Sequence, residues 1–392
     1  MPKSSDPQAP HPVASPLQAL CVFGTRPEAI KMAPVVRALK ADARFACRLC
    51  VTAQHRQMLD QVLELFDLVP DEDLDLMRPD QTLAELSARA LSGLDKVLHR
   101  RPPHIVLVHG DTTTSFVAGL AAFYRRIPVG HVEAGLRTGD LYAPWPEEFN
   151  RRVVGLVGRL HFAPTQRAAD ALIKEGVPPA HIAVTGNTVI DALKAVSRRI
   201  DDDAALGARL AASLPPLDPS RRLILVTGHR RENFGEGFEN ICRALATLAE
   251  RPDVQIVYPV HLNPNVQAPV QAMLAGRAHV HLIAPQDYLP FVWLLKNCHL
   301  VLTDSGGLQE EAPVLAKPVL VMRETTERPE ALAAGTAELV GTDVQRIVGA
   351  VQRLLDEPAA YQRMALAHNP YGDGTAARQI AERLAQWDRS LA

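Results

Sequence analysis

Two acidic residues each follow an apolar segment of the sequence, at the point where a predicted strand ends. Asp111 comes shortly after residues 105–108, and Glu133 comes shortly after residues 128–131. The carboxyl ends of parallel strands meet at one edge of a sheet, so both side chains are predicted to face the same cleft. Two crowded carboxylates have separated pKa values, which suits general acid/base chemistry. Asp111 is equally suited to cap the helix that follows it.

Two further groups that could take part in proton transfer lie on loops. The string Pro144-Trp-Pro-Glu-Glu148 is a stiff loop that directs one or two carboxylates to a definite place, although the start of an ordinary helix has the same pattern. In the second half of the chain, His229 follows Gly228 at a strand end and precedes two arginines. An imidazole there can act beside a phosphate or a sugar oxygen.

The first predicted strand runs into a turn that could hold an anion. Gly24 permits a tight turn, and Pro27 suits the first position of a helix. Arg26 and Lys31 would then bring two cations to a helix N-terminus, which itself favours anions. The alternative is an ordinary strand-to-helix turn with solvated cations.

The sharpest local signal is the string Thr303-Asp-Ser-Gly-Gly307. A strand, a Gly pair and a helix that begins at about Leu308 leave several backbone N–H groups free to cradle a diphosphate. Glu311 follows one turn later, where a carboxylate can accept both hydroxyls of a ribose. One such loop fits a nucleotide sugar better than a dinucleotide. Residues 323–330 form another charged loop, for which a solvated turn is the alternative.

The elements that must position these groups are short apolar strands that alternate with longer helical patterns, which is typical of buried parallel sheets. Residues 197–222 are polar and Pro-rich without a strand pattern, so they lie at or just after a domain boundary. We expect an α/β fold of two doubly wound Rossmann-like lobes around a central cleft. The predicted parts are a disordered tail at 1–16, lobes at 17–186 and 187–373, and a C-terminal helix at 374–392. Strands are predicted at 20–23, 44–52, 105–108, 128–131, 223–226, 254–258, 300–302 and 319–322.

Composition and charge exclude several classes of protein. The 392 residues include 42 Lys and Arg against 44 Asp and Glu, a net charge of −2, and 47% are hydrophobic, which favours a large core over disorder. Such a balance disfavours nucleic acid as a partner. No apolar run of about 18 residues predicts a membrane span, and the N-terminus lacks the pattern of a secretory signal. We therefore expect a cytoplasmic protein with no membrane partner.

Several kinds of site lack support in the sequence. The five cysteines are odd in number, and Cys47-x-x-Cys50 has no second pair, so neither a disulfide framework nor a zinc site is expected. No His-Glu-x-x-His string supports a metal site. The turn at Gly24 is not a dinucleotide fingerprint, so no nicotinamide cofactor is expected. A Walker loop and the nucleophile elbow of α/β-hydrolases are also absent.

Together, these strings closely resemble those of the bacterial non-hydrolysing UDP-N-acetylglucosamine 2-epimerases. The resemblance runs in order from about Leu20 to the C-terminus. It implies a fold of the glycosyltransferase-B type, a C-terminal helix that packs back on the first lobe, and a homodimer. It also implies conversion of UDP-N-acetylglucosamine to UDP-N-acetylmannosamine for surface polysaccharides. The matching strings are Gly24-Thr-Arg-Pro-Glu-Ala-Ile-Lys31, His109-Gly-Asp-Thr112, His131-Val-Glu-Ala-Gly-Leu-Arg-Thr138, Pro144-Trp-Pro-Glu-Glu148, Thr227-Gly-His-Arg-Arg-Glu232, Asp304-Ser-Gly-Gly307 and Thr326-Glu-Arg-Pro-Glu330.

The resemblance also implies a mechanism and a set of acid/base residues. The C2 hydrogen of the sugar is not next to a ketone, so inversion at C2 without a nicotinamide would proceed by anti elimination of UDP and its re-addition. The intermediate would be 2-acetamidoglucal, held in the closed cleft. Asp111, Glu133 and Glu147 would be the acid/base set, and His229 would sit at the leaving phosphate or help in proton transfer.

Substrate contacts follow from the same resemblance. Phe291 would line the uracil pocket, and Arg328 would oppose the charge of the diphosphate. A second, activating UDP-N-acetylglucosamine would bind beside the first, at Gln54, Gln57 and His261. The full set of substrate contacts implied is Arg26, Lys31, Asp111, Glu133, His229, Gln286, Phe291, Ser305, Gly306, Gly307, Glu311 and Arg328.

Three other functions use the same architecture. A glycosyltransferase would have an open acceptor groove and fewer carboxylates around the sugar. A hydrolysing epimerase would release free N-acetylmannosamine and UDP, and only the access of water separates it chemically from the non-hydrolysing enzyme. A nucleotide-sugar sensor would have an inactive site, which the intact Asp111, Glu133, Glu147 and His229 argue against.

Overall fold

The chain forms two parallel β-sheets, each flanked by helices. The structure, a computed structural model, describes residues 15–53, 56–78 and 80–388, without the side chain of Gln57. Most of the tail predicted at 1–16, the last residues of the helix predicted at 374–392, Gln54 and the side chain of Gln57 therefore lie outside the described residues.

The first lobe is built on a sheet with the strand order β3-β2-β1-β4-β5-β6-β7, and all its strand pairs are parallel. The central strands β1 and β4 are almost entirely buried, as expected for a sheet covered by helices on both faces. The strands are β1 (Leu17–Phe23), β2 (Phe45–Val51), β3 (Glu72–Asp73), β4 (Ile105–His109), β5 (Val129–Val132), β6 (Gly158–Ala163) and β7 (Ile182–Val184).

The second lobe is built on a sheet with the order β10-β9-β8-β11-β12-β13, and its strand pairs are also parallel. The doubly wound fold predicted for both halves of the chain is therefore confirmed. The strands are β8 (Arg222–Thr227), β9 (Val254–Pro259), β10 (Val280–Ile283), β11 (Leu300–Thr303), β12 (Val319–Val321) and β13 (Ala337–Leu339).

Helices form the crossover connections between the parallel strands. In the first lobe they are α1 (Arg26–Lys40), α2 (Arg56–Leu65), α3 (Leu83–Arg100), α4 (Thr113–Tyr124), α5 (Glu147–Val157) and α6 (Gln166–Lys174). They continue as α7 (Thr188–Asp202), α8 (Ala204–Ala212), α9 (Glu236–Leu248), α10 (Pro264–Leu274), α11 (Tyr288–Asn297), α12 (Gly306–Glu311), α13 (Pro329–Ala334), α14 (Val344–Asp356), α15 (Pro358–Ala365) and α16 (Ala376–Ala385).

Strand order reverses once in each sheet, and the predicted functional strings lie at these reversals. In the first sheet the reversal is between β1 and β4, which end at the Gly24 turn and at Asp111. In the second it is between β8 and β11, which end at His229 and at the Gly306 turn. Ligands of doubly wound sheets bind outside the carboxyl ends of the strands at such reversals. The fold thus places each set of candidate residues at a binding edge.

The C-terminal helix α16 packs against α1 and α7. Its first turn is capped from α7, because Asp191 accepts hydrogen bonds from the backbone N–H groups of Ala376 and Ala377 at 3.2 and 2.9 Å. Glu382 adds a surface ion pair with Arg44 of the first lobe at 2.7 Å. These contacts tie the end of the chain to the first helix of the first lobe.

Candidate active site

Glu133 lies at the centre of a buried cluster of charges at the end of β5. Its Oε2 is 2.5 Å from Nζ of Lys31 in α1 and 2.9 Å from Nε2 of His109 at the end of β4. The backbone of Glu133 has a φ of +60°, which is uncommon for a residue other than glycine. The structure thus pairs Glu133 with Lys31, two candidate residues that were predicted separately, and adds His109, which was not among the candidates.

The two charges of this pair reinforce one another. Burial would raise the pKa of Glu133, but Lys31 and His109 outweigh burial and hold that pKa well below its ordinary value. Burial would also lower the pKa of Lys31, but Glu133 and then Glu310 of the second lobe outweigh it and raise that pKa. The cluster therefore holds an ionised carboxylate beside an ammonium group. The ammonium group of Lys31 is stabilised by carboxylates of both lobes, Glu133 and Glu310.

Asp111 faces α5 from the end of β4. Its carboxylate is paired with the guanidinium group of Arg151, and its backbone oxygen accepts a hydrogen bond from Nδ2 of Asn150 at 2.9 Å. The residue that caps α4 is Thr112, whose hydroxyl accepts from the N–H of Ser115 at 3.1 Å. The interpretation of Asp111 as a helix cap is therefore wrong, and its partly exposed carboxylate is available to the cleft.

A buried histidine fixes the turn that precedes Asp111. Nε2 of His131 lies 2.7 Å from the backbone oxygen of Gly110. Burial, and then the nearby His161, lower the pKa of His131 to about 3, so the ring is neutral and Nε2 donates its proton to this oxygen. Gly110 has a φ of +64°, which other residues adopt rarely. The sequence offered no signal that separates this histidine from an ordinary core residue.

The two glutamates at the start of α5 differ in their surroundings. Glu148 is fully buried and accepts hydrogen bonds from the N–H of Thr138 at 3.1 Å and from Nε of Arg152 at 3.0 Å. Glu147 is half-buried and makes no hydrogen bond within the described chain. It lies one helical turn before Arg151, on the side of α5 that meets Asp111. Glu148 therefore holds the loop, and Glu147 is the free carboxylate.

Glu28 joins the two loops at the reversal of the first sheet. Its carboxylate accepts from the N–H of Thr25 at 2.8 Å, which completes a capping box at the start of α1. The other oxygen accepts from the hydroxyls of Thr112 at 2.6 Å and Ser115 at 3.0 Å, at the start of α4. The spacing Thr25-x-x-Glu28 is a capping-box signal that could have identified this residue from the sequence.

In the second lobe, the backbone after β8 is held by Asp304. This carboxylate is fully buried, and its Oδ2 accepts from the N–H groups of His229 and Arg230, both at 2.8 Å. The ring of His229 stacks on that of His261, with centroids 5.4 Å apart. Burial, with Arg230 and His261, lowers the pKa of His229 despite the opposing charge of Asp304. His229 is therefore a largely neutral imidazole at the edge of the cleft.

The turn after β11 is open enough for a ligand. Helix α12 begins at Gly306, two residues before the predicted start at Leu308. A Cβ at Gly306 would lie 3.9 Å from the guanidinium groups of Arg230 and Arg328, and one at Gly307 would lie 3.9 Å from the hydroxyl of Ser305. Two arginines thus face the backbone N–H groups of this turn, an arrangement suited to a diphosphate.

Glu311, in the same helix, is partly buried and makes no hydrogen bond within the described chain. Burial, followed by the charge of Glu310, raises the pKa of Glu311 to about 8, although Lys31 and Arg26 oppose the shift. A carboxyl group without protein partners in such a place can still form hydrogen bonds with a ligand.

Of the remaining predicted contacts, Arg26 and Gln286 meet between the lobes, and Phe291 lies in the second lobe. Nη2 of Arg26, at the start of α1, donates to the backbone oxygen of Gln286 at 3.3 Å. Phe291 lies in α11 and is half-buried against the core, and the hydroxyl of the buried Tyr288 one turn earlier has no hydrogen-bond partner among the described residues. The ring of Phe291 and the unpaired hydroxyl are suited to a flat, polar base. Tyr288 was missed by the sequence analysis.

The described residues contain neither a metal-binding cluster nor a membrane-spanning helix. No group of three or more His, Cys, Asp or Glu side chains is arranged to hold a metal ion. Within residues 15–388, apart from the short gaps, each helix is too short or too polar to span a lipid bilayer.

Comparison with known proteins identifies the family. Residues 37–385 match the family model described as UDP-N-acetylglucosamine 2-epimerase. The chain is 59% identical over 376 residues to the UDP-N-acetylglucosamine 2-epimerase of Salmonella typhimurium, covering 96% of this chain and 100% of the relative. It is 60% identical over 369 residues to that of Escherichia coli K12, covering 94% and 98%.

Solved structures agree with this. The UDP-GlcNAc 2-epimerase of Neisseria meningitidis bound to UDP-GlcNAc superposes with a TM-score of 0.88 at 50% identity, covering 95% of this chain and 100% of that one. The Methanocaldococcus jannaschii UDP-GlcNAc 2-epimerase in complex with UDP-GlcNAc and UDP has a TM-score of 0.78 at 31% identity, with coverage of 95% and 100%. The two-lobed fold of glycosyltransferase-B type is confirmed by these neighbours. The chain therefore belongs to the UDP-N-acetylglucosamine 2-epimerase family of isomerases.

Proposed function

We propose that the protein interconverts UDP-N-acetylglucosamine and UDP-N-acetylmannosamine without releasing free sugar. The observation that carries the proposal is the cluster in which an ionised Glu133 lies within 3 Å of both Lys31 and His109 at the edge of the cleft. Asp111, in the loop after β4, and Glu147, at the start of α5, flank the same edge. A set of carboxylates around one sugar suits proton removal and return at a carbon atom.

The reaction proposed is an anti elimination followed by re-addition. A base removes the C2 proton while the bond from C1 to the phosphate oxygen breaks, and the electron pair of that bond leaves with UDP. The products held in the cleft are 2-acetamidoglucal and UDP. A proton is then returned to the opposite face of C2 as the phosphate oxygen rejoins C1, so atoms and charge balance over the cycle.

Asp111, Glu133 and Glu147 form the proposed acid/base set. The charge of the incoming diphosphate would draw Lys31 away from Glu133 and so remove part of the field that depresses its pKa. Glu133 would thereby become a stronger base once substrate is bound. The neutral His229 would serve the leaving phosphate, as a donor or in proton transfer, from the opposite lobe.

UDP would be held mainly by the second lobe. The backbone of Ser305, Gly306 and Gly307 would receive the diphosphate, and Arg328 would neutralise it. Glu311 would accept the ribose hydroxyls, and the ring of Phe291 with Gln286 would hold uracil. Arg26 would reach the ligand across the cleft from the first lobe. The relatives whose structures contain UDP-GlcNAc or UDP support this ligand class.

A second UDP-N-acetylglucosamine is proposed to activate the enzyme from a site beside the first. His261 supports this, because its ring stacks on that of His229 and would feel any ligand bound next to it. Gln54 and Gln57 belong to the proposed site. The product would supply surface polysaccharide synthesis in the cytoplasm.

We also propose a homodimer, formed through the outer face of α4 and α5. Four large apolar side chains there are exposed: Phe123 by 58%, Tyr124 by 65%, Phe149 by 46% and Leu156 by 85%. Together they present about 500 Å² of surface, the size of the largest apolar patch on a typical monomer, and such a patch is often an interaction site. That is over half of the roughly 800 Å² that each partner of a standard interface buries. A second copy of the same face would cover it by two-fold symmetry.

Product identity tests the proposal. Purified protein incubated with UDP-N-acetylglucosamine should give UDP-N-acetylmannosamine on anion-exchange chromatography, with no free N-acetylmannosamine. Accumulation of free sugar and UDP would show a hydrolysing enzyme instead, and transfer to an added sugar acceptor would show a glycosyltransferase.

A further inference from the structure

Glu310 is a buried carboxylate for which the proposed reaction has no role. It lies in α12 and is 2% exposed. One of its oxygens accepts from Nε of Arg328, and the other accepts from Nδ2 of Asn187 at 2.8 Å. A buried carboxylate is strongly destabilising when its oxygens lack donors, so each partner matters to the position of the group.

Asn187 stands where the chain passes from the first lobe to the second. It follows β7, and its Oδ1 caps α7 by accepting from the N–H of Val189 at 3.1 Å. Its own N–H donates to the backbone oxygen of Tyr371 at 2.8 Å, in the segment that returns the chain to α16. A Cβ at Gly186 would lie 3.0 Å from that same oxygen, so the two crossing segments touch backbone to backbone.

The returning segment is bonded to Glu310 as well. Nδ2 of Asn369 donates to the backbone oxygen of Glu310 at 3.1 Å, and Oδ1 of Asn369 accepts from the N–H of Tyr371 at 3.1 Å. One residue of the second lobe is therefore bonded to both segments that cross between the lobes.

At its other end, Glu310 acts on the cations of the cleft. It is the largest cause of the raised pKa of Arg328, and it also raises that of Lys31 in the first lobe. The guanidinium group of Arg328 points at the turn that contains Gly306, with Cζ 3.9 Å from the place of a Cβ there. The position of Glu310 thus bears on the side chain that would hold the diphosphate.

We propose that Glu310 is a positioning residue that couples the grip of Arg328 on the diphosphate to the two crossing segments, and so keeps the lobes closed while the eliminated intermediate is in the cleft. The inference rests on the proposed function, since an intermediate must exist to be retained. Binding of phosphate to Arg328 would change the position of Glu310, and with it the hydrogen bonds that join Glu310 to Asn187 and Asn369. Such a link would let ligand binding favour the closed arrangement of the lobes.

Glu310→Gln removes the charge opposite Arg328 and leaves one acceptor oxygen where two donors now bond. We expect the Kd for UDP, measured by calorimetry, to rise about tenfold, because a charged hydrogen bond that positions Arg328 is lost. We also expect 2-acetamidoglucal and UDP to appear free in solution during turnover. Glu324→Gln is the matched control, because this residue lies on the loop that carries Arg328 and its side chain is 71% exposed. It should match the unmodified protein in both assays.

Asn187→Asp separates coupling from contact. It keeps the cap of α7, because aspartate is an equally good N-cap, but it replaces the donor to Glu310 with an acceptor. Asn187 lies on the chain crossing rather than on the phosphate turn, yet we expect the variant to bind UDP about fivefold more weakly and to leak intermediate. In the double variant with E310Q, the new amide can donate to the new carboxylate. The fold-increase in the Kd for UDP of the double variant should then be smaller than the product of the fold-increases of the two single variants.

Folded E310Q and N187D variants that bind UDP as the unmodified protein does and release no 2-acetamidoglucal would overturn the inference. Thermal unfolding establishes that each variant is folded. If E310Q does not fold, N187D alone decides. If the unmodified protein forms no UDP-N-acetylmannosamine, the proposed function fails, and the UDP affinities of the two variants then decide the coupling by themselves.

Discussion

At the scale of single residues, the two lobes offer different side chains to a ligand in the cleft. The first lobe supplies acids and bases, with Glu133 held ionised by Lys31. The second supplies donors and cations around a turn of backbone N–H groups, with Arg328 facing Gly306. The division matches a reaction in which protons move at the sugar while the charge of the diphosphate is held elsewhere.

Asp111→Asn should lower kcat by about two to four orders of magnitude, the usual contribution of a positioned acid or base, while the Kd for UDP changes little. The amide can still accept a hydrogen bond from Arg151, so the loop should keep its place. Steady-state kinetics and calorimetry measure the two effects. Asp202→Asn, at the exposed end of α7, is the matched control. Unchanged turnover in the Asp111 variant would remove this residue from the mechanism.

Lys31→Met should weaken substrate binding and also change the pH profile. Without its ammonium partner the pKa of Glu133 should rise toward and above its ordinary value, because burial then acts with less opposition. The acidic limb of the plot of kcat/KM against pH, which reports the free enzyme, should therefore move to higher pH. KM for UDP-N-acetylglucosamine should rise about tenfold from the loss of one cation. An acidic limb that stays in place would show that Glu133 is not the titrating base.

Glu311 predicts a dependence of UDP binding on pH. Its pKa is raised to about 8, so at neutral pH the free protein holds this group mostly protonated. If the carboxylate accepts the ribose hydroxyls, UDP affinity should increase as the pH rises through 8, with release of a proton on binding below that pH. Calorimetry in buffers of different ionisation enthalpy measures both. Glu311→Gln should bind UDP more weakly and show neither effect.

The same group affects stability with the opposite sign. Because the folded state favours protonated Glu311, the stability it contributes is present below the ordinary pKa of 4.5 and is lost as the pH rises through about 8. Relative to Glu311→Gln, the unmodified protein should therefore lose thermal stability between these two values. A difference in melting temperature between the two proteins that stays constant across that pH range would show that the pKa of Glu311 is not raised.

At this scale the candidate catalytic groups are easier to recognise in the sequence than the residues that position them. Asp111, Glu133 and the Gly306 turn lie at strand ends that are visible in the sequence. Asp304 and His131 act by hydrogen bonds to backbone atoms far away in sequence, and no local pattern indicates such partners. Glu28 is the exception, since its capping box is local.

At the scale of secondary-structure elements, the central strands were predicted and the peripheral ones were not. β1, β4, β8 and β11 are continuous apolar runs, because both faces of each are covered by helices. The strands β3, β6, β7, β10 and β13 were missed. They are short or partly exposed, and β6 contains Arg159 and His161, so their sequences carry little of the apolar signal that identifies a buried strand.

The loop after β8 is held in place by Asp304, which directly follows the neighbouring strand β11. Asp304→Asn keeps an oxygen that can accept from both N–H groups, but it removes the negative charge that strengthens these hydrogen bonds and that faces the ring of His229. We expect kcat to fall about 100-fold, since His229 would lose its position, while the Kd for UDP changes less. Circular dichroism should show an intact fold. Equal loss of UDP binding and turnover would indicate that the whole turn, rather than His229, depends on Asp304.

At the scale of the whole molecule, the two lobes share one cleft and the chain crosses between them twice. The sequence predicted two lobes from the rhythm of strands and helices. It could not show that Arg26 meets Gln286 or that Glu310 meets Asn187, because these contacts join residues more than 100 positions apart. Such contacts depend on how the finished lobes face one another.

The homodimer proposed through the apolar face of α4 and α5 can be tested in solution. Leu156→Lys places a charge at the most exposed position of this face and should shift the protein from dimer to monomer in light scattering after size-exclusion chromatography. Leu366→Lys is the control, because Leu366 is 78% exposed and lies beyond α15, outside this face. A Leu156 variant that remains dimeric would place the interface elsewhere.

The central claim is that C2 is inverted by elimination and re-addition within one closed cleft. Proton NMR of the protein with UDP-N-acetylglucosamine in deuterated water tests it most directly. The account predicts UDP-N-acetylmannosamine that carries deuterium at C2, with the sugar still bound to UDP. Product that keeps its original hydrogen at C2, or free N-acetylmannosamine in place of the nucleotide sugar, would contradict it.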